Sequence, residues 1–213
     1  GAKGYWGRMP DVYDSAYAPA AIASVDGATK RYGNNPLCVG YFVDNEIAWE
    51  TIEKGTLASP VDQPCRKAFV AMLTAKYTTI ENLNKAWGTN ASSWDTLQNP
   101  EKPNDEFKKD TDSYVYDFAK RYFAAIKAAL KVNAPNQLYL GCRFAWSHPQ
   151  AIKACADIVD VVSFNIYRKE IVSSEWTGEK DLGKPVIIGE FHFGALDRGM
   201  FHTGLVATKN QNE

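Results

Sequence analysis

The chain has 213 residues, which is enough for one sizeable domain with a hydrophobic core. Its hydrophobic fraction of 45%, charged fraction of 23% and net charge of −1 are those of an ordinary soluble protein and give no electrostatic reason for binding nucleic acid or an anionic membrane. No apolar run approaches the ~20 residues of a membrane-spanning helix and no targeting segment is visible, so we expect a soluble protein whose compartment the sequence leaves unknown.

The first part of the chain indicates one helix and one strand. Residues 1–18 mix Gly, Pro, Asp and aromatic residues without a period and predict a loop. A helix is predicted over residues 19–32, because proline suits a first turn and the breaker sequence GNNP follows. Residues 38–43 are apolar on both faces, which is typical of a parallel strand covered by helices. This strand runs directly into the polar triplet Asp44-Asn45-Glu46.

The middle of the chain is predicted to be helical. We expect a loop over residues 47–62, helices over 63–76 and 79–87, and a polar loop over 88–109. Residues 110–132 have the strongest helical pattern, and Asp110 favours its positive N-terminal end. The apolar face of this helix has spacings of three and four and comprises Val115, Phe118, Tyr122, Ile126 and Ala129.

The last part of the chain alternates strands with short helices. Three further strands are predicted over residues 138–142, 161–167 and 186–189. Helices are predicted over 149–156 and near 174–182, and the tail from residue 191 has no clear period. Alternation of this kind predicts an α/β fold with a parallel sheet, and we expect residues 1–213 to form a single domain.

The four cysteines form no recognisable framework. They lie at positions 38, 65, 142 and 155, and no pair has CxxC spacing. No His/Cys cluster indicates zinc. We therefore expect free thiols, with Cys38 and Cys142 buried beside strands.

Two glutamates follow two of the predicted strands. Glu46 follows the first, and Glu190 follows the fourth, where Gly189 permits close approach of a neighbouring chain. The carboxyl ends of parallel strands meet at one edge of a sheet, where α/β folds place their chemistry. Each glutamate alone is more often a cap or an ion-pair partner. The pair fits glycoside hydrolysis, which needs two carboxyl groups flanking the scissile bond.

Other polar and aromatic residues near the strand ends fit a sugar site. A tryptophan face stacks on the apolar face of a pyranose ring, whereas Tyr, Asn, Arg and His side chains bind its hydroxyl groups. Loop anchoring is the alternative role for both tryptophans. The candidate sugar-binding residues are Asn45, Trp49, Arg143, Trp146, His148, Asn165, Tyr167 and His192.

Rival motifs are absent from the sequence. It contains no GxSxG elbow, no GxGxxG and no P-loop. Ser147 and His148 are sequence neighbours, which does not give the geometry of a catalytic triad. The three histidines, His148, His192 and His202, have no HxH or HExxH spacing, so we expect no metal site.

Several segments resemble known glycosidases. LCVGYFVDNE (37–46) resembles the acid/base motif on the fourth strand of retaining (β/α)8 glycosidases. VVSFNIYRKEI (161–171) and KPVIIGEFHFGALDRGMFHTGL (184–205) resemble the sixth and seventh strands of the β-agarase family, glycoside hydrolase family 50. YTTIENLNKAWGTNASSWDTL (77–97) is similar to a helical insertion of β-galactosidases and agarases. The resemblance extends over most of residues 5–208.

This resemblance implies a retaining glycoside hydrolase that cleaves β-1,4 galactosidic links in agarose or neoagaro-oligosaccharides. Glu46 would be the general acid/base, and Glu190 would be the nucleophile of a double displacement. Asn45 would bind the sugar 2-hydroxyl, and Tyr167 would hydrogen-bond Glu190. The resemblance implies no organic cofactor and no catalytic metal, and members of the family are often secreted or periplasmic.

The number of strands departs from the family pattern. A complete (β/α)8 barrel takes ~250 residues and eight βα units, whereas this chain shows four strands, corresponding to the fourth to seventh of the family. We therefore expect an α/β fold that is a partial, truncated TIM barrel of about four βα units, with activity weakened by an incomplete cleft. An open sheet exposes two edges, so we expect a homodimer or a higher homo-oligomer that pairs through them.

Two other functions remain open. A remodelled cleft with esterase-type activity would use Glu46, Glu190, Ser147, His148 and His192, although no motif supports it. A non-catalytic fragment would bind carbohydrate without turnover. Hydrolysis of nitrophenyl esters and saccharide calorimetry would discriminate between these alternatives and a glycosidase.

Overall fold

A computed structural model describes residues 9–170, 181–192, 194–199 and 201–212. The predicted helices over 63–76, 79–87 and 149–156 are confirmed to within one residue at each end. The helix predicted over 19–32 forms two residues earlier and ends three residues earlier. The α-helices are α1 (Tyr17–Thr29), α2 (Ile52–Ala58), α3 (Pro64–Tyr77), α4 (Ile80–Trp87), α5 (Asp105–Asn133) and α6 (Pro149–Ala156).

The long helix α5 lies at the centre of the hydrophobic core. It begins at Asp105, because the Asn104 side chain accepts a hydrogen bond from the backbone N–H of Phe107 at 2.9 Å and caps the helix. All five residues of the predicted apolar face are buried, so the amphipathic pattern is confirmed. This helix packs against α1 and α6. It also contacts the strand Leu138–Tyr139, where the ring centroids of Phe123 and Tyr139 lie 6.2 Å apart.

Asp110 is a correction to the sequence analysis. It was assigned to the positive end of the helix, but α5 starts five residues earlier and Asp110 is buried inside it. Its carboxylate accepts hydrogen bonds from Lys76 Nζ (2.6 Å), the Tyr77 hydroxyl (2.6 Å) and Trp87 Nε1 (2.9 Å). The hydrogen bond with Asp110 raises the pKa of Lys76. One carboxylate therefore joins α3, α4 and α5.

The strands run parallel to one another in chain order. β1 pairs with β2, β3 pairs with β4, and β5 pairs with β6, all in parallel register. A parallel bridge between Phe144 and Phe164 connects the chain after β2 to β3. The strands are β1 (Gly40–Tyr41), β2 (Leu138–Tyr139), β3 (Val162–Asn165), β4 (Val186–Glu190), β5 (Gly194–Ala195) and β6 (Ala207–Thr208). This arrangement of parallel strands with helices is consistent with part of an α/β barrel.

The expectation that the apolar strands are buried on both faces is wrong for β1 and β4. β3 is buried at all four positions, but Val39 beside β1 is 70% exposed and Ile187 of β4 is 42% exposed. β1 and β4 each have one strand neighbour in the part of the chain that the structure describes. Their outer edges and part of their apolar faces therefore meet solvent.

Local predictions for the loop over 47–62, the tail and the burial of Cys38 are also corrected. The loop predicted over 47–62 contains a 3₁₀ turn at Trp49–Thr51 and the helix α2, whose buried residues are Ile52, Thr56 and Leu57. The tail contains β5, a 3₁₀ turn at Leu196–Arg198 and β6. Residues 174–180 of the helix predicted near 174–182 lie outside the described residues. All four cysteines are free, as expected, although Cys38 is only half-buried.

The helices give no evidence of a membrane span. Across residues 9–170 and the described segments after residue 180, none is both long enough and apolar enough to cross a bilayer.

Candidate active site

The carboxyl ends of the parallel strands bring most of the predicted site residues together. Glu46 follows β1, Arg143 follows β2, Asn165 ends β3 and Glu190 ends β4. Tyr167 follows β3 by two residues. Contacts join these side chains in two groups: Asn165 hydrogen-bonds Glu46, whereas Glu190 hydrogen-bonds Tyr167 and forms an ion pair with Arg143. Both groups lie at the carboxyl ends of the strands, as the sheet geometry predicts.

Glu46 and Asn45 are joined through Asn165. The amide Nδ2 of Asn165 donates to Glu46 Oε1 at 2.8 Å and to Asn45 Oδ1 at 3.0 Å. Asn165 is buried, and its own Oδ1 has no hydrogen-bond partner in the described part of the chain. The amide of Asn165 was expected to bind a sugar hydroxyl. Its NH₂ group instead donates to Asn45 and Glu46, within the site.

Glu190 is held at both of its carboxylate oxygens. The Tyr167 hydroxyl donates to Oε2 at 2.6 Å, and Arg143 Nη1 lies 2.8 Å from Oε1. The hydrogen bond with Glu190 is the main cause that raises the pKa of Tyr167, and the charge of Glu46 raises it further. Both glutamates therefore act electrostatically on the same tyrosine hydroxyl.

Gly189 allows Arg143 to reach Glu190. A Cβ atom at position 189 would lie 2.7 Å from Cδ and 3.1 Å from Cγ of Arg143, so any larger residue would displace that side chain. The register also shifts here, from Phe164 opposite Ile188 to Asn165 opposite Glu190. Gly189 is thus the extra residue of a β-bulge, a device that re-aims the next side chain.

The backbone at this rim has unusual conformations. Asp44, Glu46 and Arg143 have φ angles of 63°, 52° and 53°, the left-handed region that non-glycine residues rarely occupy. Arg143 is held in this conformation by a hydrogen bond from its backbone N–H to the hydroxyl of Ser163 at 2.9 Å. Such strain persists only where surrounding contacts fix it.

A residue that the sequence analysis missed supports the Asp44 turn. The hydroxyl of Tyr122, which is buried in α5, donates a hydrogen bond to Asp44 Oδ2. Tyr122 was predicted only as part of the apolar helix face. A buried tyrosine hydroxyl usually requires a polar partner, and that requirement is the signal that could have indicated this contact.

A cavity of about 510 Å³ adjoins Glu190. Its lining includes Tyr167, Glu190 and His192 from the ends of β3 and β4, and His202, Gly204 and Leu205 from the segment between β5 and β6. Phe191 completes the lining. The structure therefore places His192 in the same cavity as Glu190, next to the ion-paired group.

Trp49 is wrongly assigned as a sugar-binding residue. It is fully buried, and its ring stacks on Phe123 at a centroid distance of 5.3 Å and meets Tyr122 edge-on at 5.1 Å. No face of the indole is left for a sugar, so the alternative role, anchoring the loop in the core, applies. Trp146 is 58% exposed, and its carbonyl accepts a hydrogen bond from the backbone N–H of Trp49 at 3.1 Å.

His148 is a second correction. Its Nδ1 accepts a hydrogen bond from the backbone N–H of Gln150 at 3.2 Å and caps α6, and its Nε2 lies 3.6 Å from Asp112 of α5. Burial lowers the pKa of His148. Both ring nitrogens face protein groups, so His148 is not positioned to bind a sugar or to serve as the base of an esterase.

Potential metal ligands are dispersed in the described part of the chain. In residues 9–170, 181–192, 194–199 and 201–212, no three His, Cys, Asp or Glu side chains lie together as a metal site requires. His192 and His202 have ring centroids 6.5 Å apart.

The sequence is similar to beta-agarases and a beta-galactosidase over most of its length. Beta-agarase A and beta-agarase B of Vibrio sp. (strain JT0107) are 37% and 35% identical to it, over 99% and 98% of the chain. Beta-galactosidase BgaA of Clostridium cellulovorans is 26% identical over 75% of the chain. The chain spans 24% of the length of each of these three relatives.

Solved structures give the same result. The chain superposes on an exo-beta-agarase with a TM-score of 0.87, at 36% identity and over 99% of its length. It superposes on the agarase AgWH50C with a TM-score of 0.85, at 39% identity and over 95% of its length. It covers 31% of each of those chains. The model of glycoside hydrolase family 42, described as beta-galactosidase, matches residues 8–197. The chain therefore belongs to this family of beta-galactosidase-like glycoside hydrolases and is similar to the agarases over nearly its whole length.

Proposed function

We propose that this chain carries the catalytic carboxylates of a retaining glycoside hydrolase that acts on β-galactosidic links of agarose-type saccharides. One observation carries the proposal: Tyr167 hydrogen-bonds Glu190 at 2.6 Å while the charge of Glu46 acts on the same hydroxyl. Two carboxylates from different strands thus face one rim, as glycoside hydrolysis requires. The similarity to proteins named beta-agarase supports the choice of substrate.

The surroundings of the two glutamates favour different roles. Glu190 has both oxygens fixed by Arg143 and Tyr167, and a nucleophile benefits from a fixed direction of attack. Glu46 accepts one amide hydrogen bond from Asn165, which leaves its other oxygen available for proton transfer. We therefore assign Glu190 as the nucleophile and Glu46 as the general acid/base.

The reaction proceeds by double displacement on this assignment. Glu190 attacks the anomeric carbon while Glu46 donates a proton to the departing glycosidic oxygen, giving a covalent glycosyl-enzyme and a free alcohol. Glu46 then takes a proton from water, whose oxygen attacks the anomeric carbon and releases Glu190. Two inversions give net retention. Asn45 would bind the sugar 2-hydroxyl, and the exposed Trp146 would stack on a neighbouring sugar ring.

We also propose that β1 to β4 are four consecutive strands of a (β/α)8 barrel, held within one domain. Their parallel order, β1–β2–β3–β4, supports this assignment, as does their superposition on agarase structures that are about three times as long. His148 does not support the esterase alternative, because its two ring nitrogens face Gln150 and Asp112.

Product stereochemistry tests the mechanism. Incubation with nitrophenyl β-galactoside and with agaro-oligosaccharides, followed by proton NMR, is expected to show the β-anomer first and its mutarotation to the α-anomer later. The α-anomer appearing first would contradict double displacement. Absence of hydrolysis on both substrates would contradict the proposed function, and hydrolysis of nitrophenyl esters alone would favour the esterase alternative.

We propose that a second copy of the chain covers the open strand edges and forms a homodimer. One edge of β1 has no strand neighbour among the described residues, and Val39 beside it is exposed. Both observations support this proposal, since unpaired strand edges are templates for strand pairing. Val39→Lys is expected to shift the mass measured by light scattering from dimer towards monomer. Val132→Lys, at an equally apolar and exposed position on α5, is the matched control and should leave the mass unchanged. A monomer at every concentration of wild type would contradict the proposal.

A further inference from the structure

Gly204 lies directly against the imidazole of His192. A Cβ atom at position 204 would be 1.6 Å from Cε1 and 1.7 Å from Nδ1 of that ring, which no packing adjustment of a few tenths of an ångström can relieve. Gly204 also has a φ angle of 71°, but so does Gly88, where a Cβ would meet nothing within 4 Å of the described residues. A Cβ at position 204 would therefore displace one flexible group, the imidazole of His192, so glycine is required there for the present position of that ring.

The two ring nitrogens of His192 differ in their access to hydrogen-bond partners. Its Nδ1 is buried and has no hydrogen-bond partner in the described segments. A buried N–H without an acceptor is rarer in proteins than a buried lone pair without a donor. The proton of the ring is therefore expected on Nε2, which makes His192 a hydrogen-bond donor at that nitrogen.

The turn that contains Gly204 is itself ordered by a histidine. The backbone N–H of Gly204 donates to Nδ1 of His202 at 3.0 Å. His192, His202 and Gly204 all line the cavity of about 510 Å³ that also contains Glu190 and Tyr167. His192 therefore lines the same cavity as Glu190, and its Nε2 is the ring nitrogen farther from the Cβ position of Gly204, at 2.8 Å against 1.7 Å for Nδ1.

We propose that Gly204 is a positioning residue of the sugar site: by admitting the His192 imidazole, it places the Nε2–H of His192 to donate to an oxygen of the sugar bound next to Glu190. This inference rests on the proposed glycosidase function. It assigns to the segment after β5 a role in recognising the substrate, and it makes His192 a binding residue that acts in both the ground state and the transition state.

Three variants test this role by calorimetry and kinetics with agaro-oligosaccharides. Gly204→Ala and His192→Ala are each expected to raise Kd and KM about tenfold, as the loss of one buried hydrogen bond does, with kcat changed less. Gly199→Ala is the matched control, because Gly199 has a φ angle of 77° and a Cβ there would meet nothing within 4 Å of the described residues. It carries the same backbone strain without the clash and should leave Kd and KM unchanged.

The double variant Gly204→Ala/His192→Ala separates positioning from general damage to the fold. If Gly204 acts through His192, the double variant has the Kd of His192→Ala alone, because the clash disappears with the ring. Additive effects, or a Kd for Gly204→Ala equal to that of Gly199→Ala, would overturn the inference. Nitrogen-15 NMR supplies a second measurement: the wild type should show an Nε2–H tautomer for His192 whose shift moves on saccharide binding.

The outcome also distinguishes this inference from the proposed function. Saccharide binding that is weakened by Gly204→Ala in a protein without turnover would support the inference and contradict the glycosidase. Turnover that is insensitive to Gly204→Ala and His192→Ala would support the glycosidase and overturn the inference. A His192 signal that does not respond to a saccharide that binds would also overturn it.

Discussion

Glu190→Gln is expected to lower kcat for β-galactoside hydrolysis by about 10⁴-fold or more, because an amide cannot form the glycosyl ester of a double displacement. The change keeps the size of the side chain, but it removes the negative charge that pairs with Arg143. Glu170→Gln, at an exposed glutamate in the loop after β3, is the matched control and should retain wild-type kcat. Equal activity in wild type and Glu190→Gln would contradict the assignment of the nucleophile.

Chemical rescue distinguishes the nucleophile from the acid/base in the same experiment. In Glu190→Gly, azide can enter the vacated space and attack the anomeric carbon once, which should give an α-galactosyl azide. In Glu46→Gly, azide should intercept the glycosyl-enzyme instead of activated water and give the β-azide. The opposite pair of products would exchange the two roles. Thermal unfolding of each variant establishes that the fold is retained.

Asp110→Ala is expected to lower the free energy of unfolding by about 3 kcal/mol, which is at the upper end of the usual range for a single substitution. Three donors lose their acceptor together, and the indole N–H of Trp87 is buried and has no access to water in its place. Lys76 is partly exposed, so its own lost ion pair contributes the smallest share.

Urea denaturation measures this effect, with Asp112→Ala as its control on the same helix. The side chain of Asp112 is half-exposed and lies 3.6 Å from His148, so its removal should cost less than about 1 kcal/mol. Equal losses for Asp110→Ala and Asp112→Ala would show that the network of Lys76, Tyr77 and Trp87 does not stabilise the junction of the three helices.

The helices could be predicted from the sequence wherever periodicity and end signals coincide. α4 begins after Thr79, whose hydroxyl accepts a hydrogen bond from the backbone N–H of Asn82 and caps the helix. It ends at Trp87, before Gly88, whose φ angle of 71° suits glycine. Three of the four strands were predicted too long, because an apolar run does not indicate how much of it has a hydrogen-bonded neighbour; β4 instead extends one residue beyond its prediction, to Glu190. Valine is a residue type typical of buried strands, yet Val39 is 70% exposed, because its burial depends on which distant parts of the chain pack against it.

The candidate site also contains residues that the sequence predicts and residues whose roles depend on tertiary structure. The glutamates could be predicted because their position after apolar strands is a local property of the chain. The family resemblance also implied the hydrogen bond from Tyr167 to Glu190, which the structure contains. The ion pair with Arg143 could not be predicted, since Arg143 reaches Glu190 only through the space left by Gly189 and the bulge between β3 and β4. Trp49 and His148 follow strands or loops as a binding residue would, but burial and capping are tertiary properties that spacing does not encode.

The left-handed residues at the rim have a consequence for how this protein can change over time. Asp44, Glu46 and Arg143 each oppose folding by about 1–2 kcal/mol relative to a relaxed backbone. A glycine at any of these positions would relieve that cost, so selection for heat resistance alone favours substitutions that dismantle the rim. Replacing any of these residues by glycine would therefore exchange a functional group of the rim for a more relaxed backbone.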